Sequence, residues 1–200
     1  MTKTLLTFCA VATVWAMATD PVQATPTTEA FIQQNFDKGY MILNSTSLSV
    51  VQRREQFRAL LLELAASRRI ALFTLGPYAA KAAPAEVDAF TDAFTKYSIA
   101  VYEKGLNRYD GQSLKVTGSS DRAADDSVVQ AELVSPNQSN GQPIKVAFRV
   151  RPGEAGALTV TDVLIDGVSL AITERDDFTA YLRQNNGNLP ELSNHLNGMR

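Results

Sequence analysis

The stretch Asp162-Val-Leu-Ile-Asp-Gly-Val-Ser-Leu-Ala-Ile-Thr-Glu-Arg175, running on into Asp176-Asp-Phe178, decides how this chain folds. An apolar strand, Leu158 to Ile165, stops at the tight-turn dipeptide Asp166-Gly167. Thr173, with Asp176 three residues on, then makes a capping-box-like start for a helix expected to run through Leu182. A sheet closes here and a helix lies down beside it. The strand does not alternate cleanly: Leu158 and Val160 share one face, Asp162 follows on that face, and Val163 and Ile165 fall on the other. A bulge near Asp162, or a strand covered on both faces, accounts for this.

Upstream, the period of two persists. Ile144-Lys-Val-Ala-Phe-Arg-Val-Arg151 puts Ile144, Val146, Phe148 and Val150 inward and Lys145, Arg149 and Arg151 outward. Pro152-Gly153 through Gly156 turns it into the next strand, and Asn140-Gly141 is a hairpin signal before it. Val128 to Val134 and Leu114 to Thr117 read as two more strands, which makes a four-stranded antiparallel meander. Before Gly111 the spacing is helical. Thr27 or Thr28 can cap a helix carrying Phe31, Ile32, Phe36, Tyr40 and Leu43. Ser49, with Gln52 at the capping-box position, opens an amphipathic helix with Phe57, Leu60, Leu61 and Leu64 on one side and Arg53, Arg54, Arg58 and Glu63 on the other. Ile70 to Leu75 reads as a short buried helix stopped by Gly76-Pro77, and Pro84 starts a long helix with an aromatic stripe at Phe90, Phe94, Tyr97, Val101 and Tyr102. Asn185-Asn-Gly-Asn188 interrupts the tail, and a last segment runs from Leu189 to Leu196. The layout is α+β, with helices packed on one face of an antiparallel sheet. Its parts are a helical half at 27–108, a sheet at 113–166 and C-terminal helices at 173–196.

The amino terminus reads as a secretory signal. Lys3 precedes an apolar run from Leu5 to Met17, too short to span a bilayer as a mature helix. Cleavage is expected after Ala24, with Ala18 the other candidate, leaving 25–200 as one domain. Cleavage removes Cys9 and Trp15, the only cysteine and tryptophan, so stability must come from a core and not from disulfides. The formal net charge is −2 and the basic residues are scattered, which gives no stripe for nucleic acid.

A search for chemistry finds structural roles. The single histidine, His195, lies in a polar segment and reads as a surface residue, so neither a zinc site nor a Ser-His-Asp triad can be assembled from the usual ligand types. Asp125-Asp126 sits in a polar loop between strands, and Asp176-Asp177 opens a helix, where negative charge suits the dipole. The sequons at Asn44 and Asn137 read as turns. Asp162 and Asp166 are the only carboxylates embedded in an apolar strand, and a buried carboxylate must be hydrogen-bonded or take up a proton. A structural hydrogen bond at the bulge is the expected role of Asp162. No catalytic constellation emerges, and no cofactor is expected.

Three stretches together resemble the MlaC family of soluble periplasmic lipid-carrying proteins, the toluene-tolerance auxiliary proteins. They are Ile70-Ala-Leu-Phe-Thr-Leu-Gly-Pro-Tyr78, Phe90 and Phe94 leading through Tyr102 to Leu106 and Tyr109-Asp-Gly111, and Asp162 to Phe178. One departure is Ala79-Ala80 after Tyr78, where many relatives carry a larger aromatic. The resemblance implies an NTF2-like α+β fold enclosing a deep apolar pocket for the acyl chains of a phospholipid. It also implies a monomeric shuttle between an outer-membrane lipoprotein–porin complex and an inner-membrane ABC transporter with an MCE-domain protein, maintaining outer-membrane lipid asymmetry. A branch of the family is associated with hopanoids, so a hopanoid is the alternative ligand.

On that reading the pocket residues come from the facing elements. Phe36, Tyr40, Leu72, Leu75, Phe90, Phe94, Tyr97 and Val101 are expected from the helices. From the sheet come Val116, Val129, Leu133, Val146, Phe148 and Val160. Two rival classes remain. An NTF2-like isomerase or dehydratase would need Asp162 to meet Tyr97 or Tyr102 inside. A protein-binding adaptor would turn its apolar face outward.

Overall fold

The computed structural model describes residues 26–106, 109–136, 142–154 and 156–199. Four helices come first: α1 (Pro26–Leu43), α2 (Val50–Leu64), α3 (Ser67–Thr74), followed by a 3₁₀ turn at Gly76–Tyr78, and α4 (Pro84–Leu106). The sheet follows as β1 (Ser113–Ala123), β2 (Asp126–Val134), β3 (Ile144–Pro152), β4 (Leu158–Ile165) and β5 (Val168–Ser169), and α5 (Leu170–Gln184) and α6 (Leu189–Gly198) finish the chain. The expected leader at 1–24, the Asn140-Gly141 turn and the Asn137 sequon lie outside the described residues.

The sheet is an antiparallel meander in the order β1-β2-β3-β4-β5, so it has five strands where four are expected. The extra strand is two residues long, too short to carry a readable period. It folds back through Asp166-Gly167, whose φ values of 48° and 86° are the paired positive dihedrals of a tight hairpin turn. Asp166 ties that turn to the neighbouring strand: its N–H donates to the Lys145 carbonyl at 2.8 Å, and its Oδ1 accepts the Lys145 N–H at 3.3 Å.

The broken alternation of β4 is a bulge. Asp162 stands opposite Arg149 and Val160 opposite Val150, so Thr161 is the extra residue. Because directly opposed residues share a face, the insertion puts Leu158, Val160, Val163 and Ile165 all on the side of Pro152, Val150, Phe148 and Val146. The apolar face is restored, and Asp162 leaves it. Its Oδ1 accepts the Ala171 N–H at 3.0 Å and its Oδ2 accepts the Ser169 hydroxyl at 2.5 Å, as expected of a structural carboxylate.

These bonds also move the helix start. Ser169, not Thr173, is the N-cap of α5, its Oγ accepting the Ile172 N–H at 3.0 Å. Thr173 lies inside the helix and donates its hydroxyl back to the Ser169 carbonyl at 3.0 Å. Asp176 and Asp177 therefore sit beyond the first turn, where the dipole no longer favours them. Ser49 and Gln52 form the full capping box at the start of α2 as read. Helix α1, by contrast, already begins at Pro26, whose fixed φ suits a first helical position, so Thr27 and Thr28 lie inside it and neither is its N-cap.

The first hairpin is longer than the sequence suggests, and Asp126 is the first residue of β2 and not part of a loop. It is buried and receives both Arg149 donors, at 2.8 and 2.5 Å. The guanidinium bonding holds the Asp126 carboxyl below the usual carboxylate range.

Apolar residues gather in two separate clusters. One lies between α1 and the sheet, around Ile32, Leu114, Val129, Ala131 and Val150. The other is entirely helical: α3, the first half of α4, α5 and α6 close over Leu75, Phe90, Phe94, Phe178 and Leu182. Phe90, Phe94 and Tyr97 each meet Phe178 edge to face there, their centroids within 6.3 Å of its own, while Phe90 and Phe94 stack on each other at 26°. Among the described residues, no helix is long and apolar enough to cross a membrane.

Candidate functional site

Between the two clusters the packing stops. A cavity of about 460 Å³ opens under α2, within the range typical of small-molecule pockets. Its position follows from how the helices are held. The first half of α1 is fastened to β1, with the Ser119 hydroxyl donating to Glu29 and the Val116 N–H donating to Gln33 Oε1 at 3.3 Å. The second half leaves the sheet and meets α2 at Gly39, where an added Cβ would stand 3.4 Å from both Phe57 and Leu60. The far end of α2 is pinned to β4: Ala65 bridges Val160, and the Ala66 N–H donates to the Val160 carbonyl at 3.0 Å. Held by α1 along its middle and by β4 beyond its end, α2 spans the opening with Phe57, Leu60, Leu61 and Leu64 on the cavity wall.

The walls come from four directions. Helix α1 supplies Ile32, Asn35, Phe36, Gly39, Tyr40 and Leu43, and α2 supplies Phe57, Leu60, Leu61 and Leu64. The end of α4 contributes Val101, Tyr102 and Gly105, and the segment after it Tyr109 and Gln112. Leu133, Phe148 and Val160 form the sheet side. Among the described residues Gly105 meets no atom within 4 Å of where its Cβ would be, so the helix there borders the cavity without contact.

Of the residues expected at a pocket, Phe36, Tyr40, Val101, Leu133, Phe148 and Val160 are on this wall. The others are not. Leu75, Phe90, Phe94 and Tyr97 belong to the helical cluster, because α5 and α6 cover the first half of α4. Val116 and Val129 pack beneath α1 in the sheet cluster. Val146 is buried in β3, and Leu72 is half-buried on α3 away from the cavity. The wall that sequence reading missed is α2. Its stripe was visible, but amphipathy does not reveal whether the facing surface is in contact or at a distance. Gly39 and Gly105, glycines inside helices where glycine is unfavourable, were the signal available.

The polar groups are few. Asn44 donates to the Tyr109 hydroxyl at 2.5 Å, and burial pushes the Tyr109 pKa up. The Tyr97 hydroxyl, behind the wall, donates to Glu174 Oε1 at 3.2 Å. Burial and then the Glu174 charge raise Tyr97 to about 12, and burial also raises Glu174. Burial, followed by the charges of Asp162 and Glu174, raises Tyr102. Of the two encounters an enzyme could use, Tyr97 pairs with Glu174 instead, and although the Asp162 charge acts on Tyr102, Asp162 commits both oxygens to Ser169 and Ala171. Among the described residues, no group of three or more acidic, His or Cys side chains could hold a metal. Apolar walls with a few tyrosine and amide groups suit an apolar or amphiphilic guest.

Comparison with known proteins agrees with this geometry. The family model of the MlaC protein matches residues 33–198. A phospholipid-binding protein from Ralstonia solanacearum, solved in complex with a phospholipid, has a similar fold, with a TM-score of 0.71 at 22% identity. The similarity covers 86% of this chain and 95% of that one.

Proposed function

Because the chain belongs to the MlaC family, we propose that it is an exported, monomeric lipid carrier. It takes the acyl chains of a phospholipid into the cavity under α2 and shuttles the lipid across the periplasm. Its partners are an outer-membrane lipoprotein–porin complex and an inner-membrane ABC transporter with an MCE-domain protein, and its task is to maintain outer-membrane lipid asymmetry.

The observation that carries the reading is an apolar cavity of about 460 Å³ left open inside a chain that packs tightly elsewhere. Large voids of this kind are costly to maintain without a guest. A lipid with about thirty chain methylenes faces up to roughly 24 kcal/mol on entering water, at about 0.8 kcal/mol per methylene. A dry container is therefore what transfer through an aqueous compartment requires, and no bond chemistry is needed. Phe36, Tyr40, Phe57, Leu61, Val101 and Phe148 are the proposed chain contacts. The commitment of Asp162 to the start of α5 favours a carrier over an isomerase or dehydratase.

Mass spectrometry of organic extracts from the purified native protein tests this. Stoichiometric phospholipid is expected, and Phe148→Trp, which fills the space beside β3, should lower its occupancy. Stoichiometric hopanoid would move the protein to the hopanoid-carrying branch. A chain that copurifies with no lipid and takes none from vesicles would sink the carrier reading.

A further inference from the structure

A second, smaller opening lies beside the cavity, between the outer face of α2 and the end of α4. It measures about 250 Å³ and is lined by Val50, Val51, Arg54, Glu55, Arg58 and Glu103. The two spaces share the same helices. Arg54 stands three residues before Phe57 and Arg58 three before Leu61, so each arginine neighbours a cavity side chain on the surface of α2. On α4, Glu103 directly follows Tyr102 of the cavity wall. An apolar cavity and a charged groove therefore adjoin, which is the layout an amphiphile needs.

The charges in the groove are balanced, two of each sign. Among the described residues Arg54, Arg58, Glu55 and Glu103 form no ion pair, although Glu63 at the other end of α2 meets Lys38 at 3.2 Å. Arg53 is taken up in holding α2 to α1, its guanidinium donating to the Leu43 carbonyl at 3.1 Å. Opposite charges that stand apart in one groove can both be engaged by a guest that carries one charge of each sign. At about 30 Å³ per water-sized group, the groove has room for about eight such groups, enough for a phosphate with a short ammonium arm. A singly anionic headgroup would use the arginines and leave the carboxylates unanswered.

We propose that this groove seats the headgroup of the bound lipid, with Arg54 and Arg58 on the phosphate and Glu55 and Glu103 on a headgroup ammonium, so that the protein favours a zwitterionic over an anionic phospholipid. The proposal rests on the lipid-carrier reading and adds to it a position for the headgroup. Arg54, Glu55 and Arg58 are exposed and Glu103 is half-buried, so the selection is modest.

Delipidated protein is incubated with vesicles of equal parts phosphatidylethanolamine and phosphatidylglycerol, matched in chain length, and the lipid it takes up is read by mass spectrometry. Phosphatidylethanolamine should be enriched about two- to fivefold, the span of one exposed ion pair. Glu55→Gln combined with Glu103→Gln should bring the ratio close to one with total lipid per protein unchanged, because the chains are held in the cavity. Glu63→Gln combined with Glu154→Gln removes the same charge outside the groove and should keep the enrichment. No enrichment in the unmodified protein, enrichment that survives loss of Glu55 and Glu103, or equal loss in the Glu63 and Glu154 variant overturns the proposal. Should the groove variant fail to fold, salt decides. Raising it to about 1 M should abolish the enrichment shown by the unmodified protein, and enrichment that persists overturns the proposal. Uptake of neither lipid by the unmodified protein would instead reject the carrier reading.

Discussion

Helix α4 passes through both regions of the molecule, and its two halves meet different fates. In the first half Phe90, Ala93 and Phe94 are sealed, with Phe90 fully excluded from solvent. In the second half Val101, Tyr102 and Gly105 face a cavity, and Val101 keeps 48% of its surface exposed. The side chains do not explain the difference, since aromatic and aliphatic residues recur at helical spacing throughout. The partners do. Phe178 and Leu182 from α5 and Leu192 and Leu196 from α6 fill the space over the first half, while the second half borders the cavity under α2, a helix that rests on α1 at Gly39 and is followed by the bridge to Val160. One region is packed to hold its shape and the other is propped open.

The largest expected contrast is in the cost of removing a ring. Phe90→Ala should destabilise the fold by about 3–5 kcal/mol, since it leaves a void in a closed core. Phe148→Ala, on the cavity wall, creates little new void and should cost no more than about 2 kcal/mol. Denaturant midpoints at unchanged m-value measure both. Equal losses would mean that the two regions are packed alike.

The second prediction concerns what ties the helix covering the sealed half, α5, to the sheet that carries the cavity wall. Asp162→Ala leaves the Ala171 N–H and the Ser169 hydroxyl without their acceptor and should cost about 1–3 kcal/mol. Asp162→Asn keeps a carbonyl oxygen for Ala171 and should cost less. Hydrogen exchange at Ala171 reports the local effect: protection should fall in the alanine variant and largely return in asparagine. Unchanged protection in both would remove Asp162 from this role.

How much of this was legible depends on whether a residue's partner is near in sequence. The helices, the bulge and the capping box at Ser49 rest on spacings of two to four residues, which the chain displays directly. The bonded role of Asp162 was legible too, because a carboxylate in an apolar strand has to find donors. Which residue caps α5 was not: Ser169 and Thr173 offer the same chemistry, and the choice was made by Asp162 reaching the Ala171 N–H. The wall of the cavity was legible only in part. Phe94 and Phe148 carry the same hydrophobic signal, and only the placement of α5, α6 and α2 assigns one to a core and the other to a space.

The smallest effect runs in opposite directions in the two halves of α4, which makes it diagnostic. Glycine inside a helix costs up to about 1 kcal/mol relative to alanine, and Gly105 carries that cost one residue before the helix ends. Among the described residues a methyl added there meets no atom within 4 Å, so Gly105→Ala should stabilise the protein by a few tenths to about 1 kcal/mol. The reverse exchange in the sealed half, Ala93→Gly, should destabilise by at least as much, because it loses propensity and leaves a gap in a core where Ala93 is buried. Thermal unfolding of the two variants measures the sign. Gly105→Leu extends the series: the larger side chain projects into the cavity, so retained lipid should fall although the helix itself is favoured. If Gly105→Ala destabilises, the space beside α4 is filled by protein. If Gly105→Leu retains lipid in full, the chains do not run along this helix, and the glycine is not there to admit them.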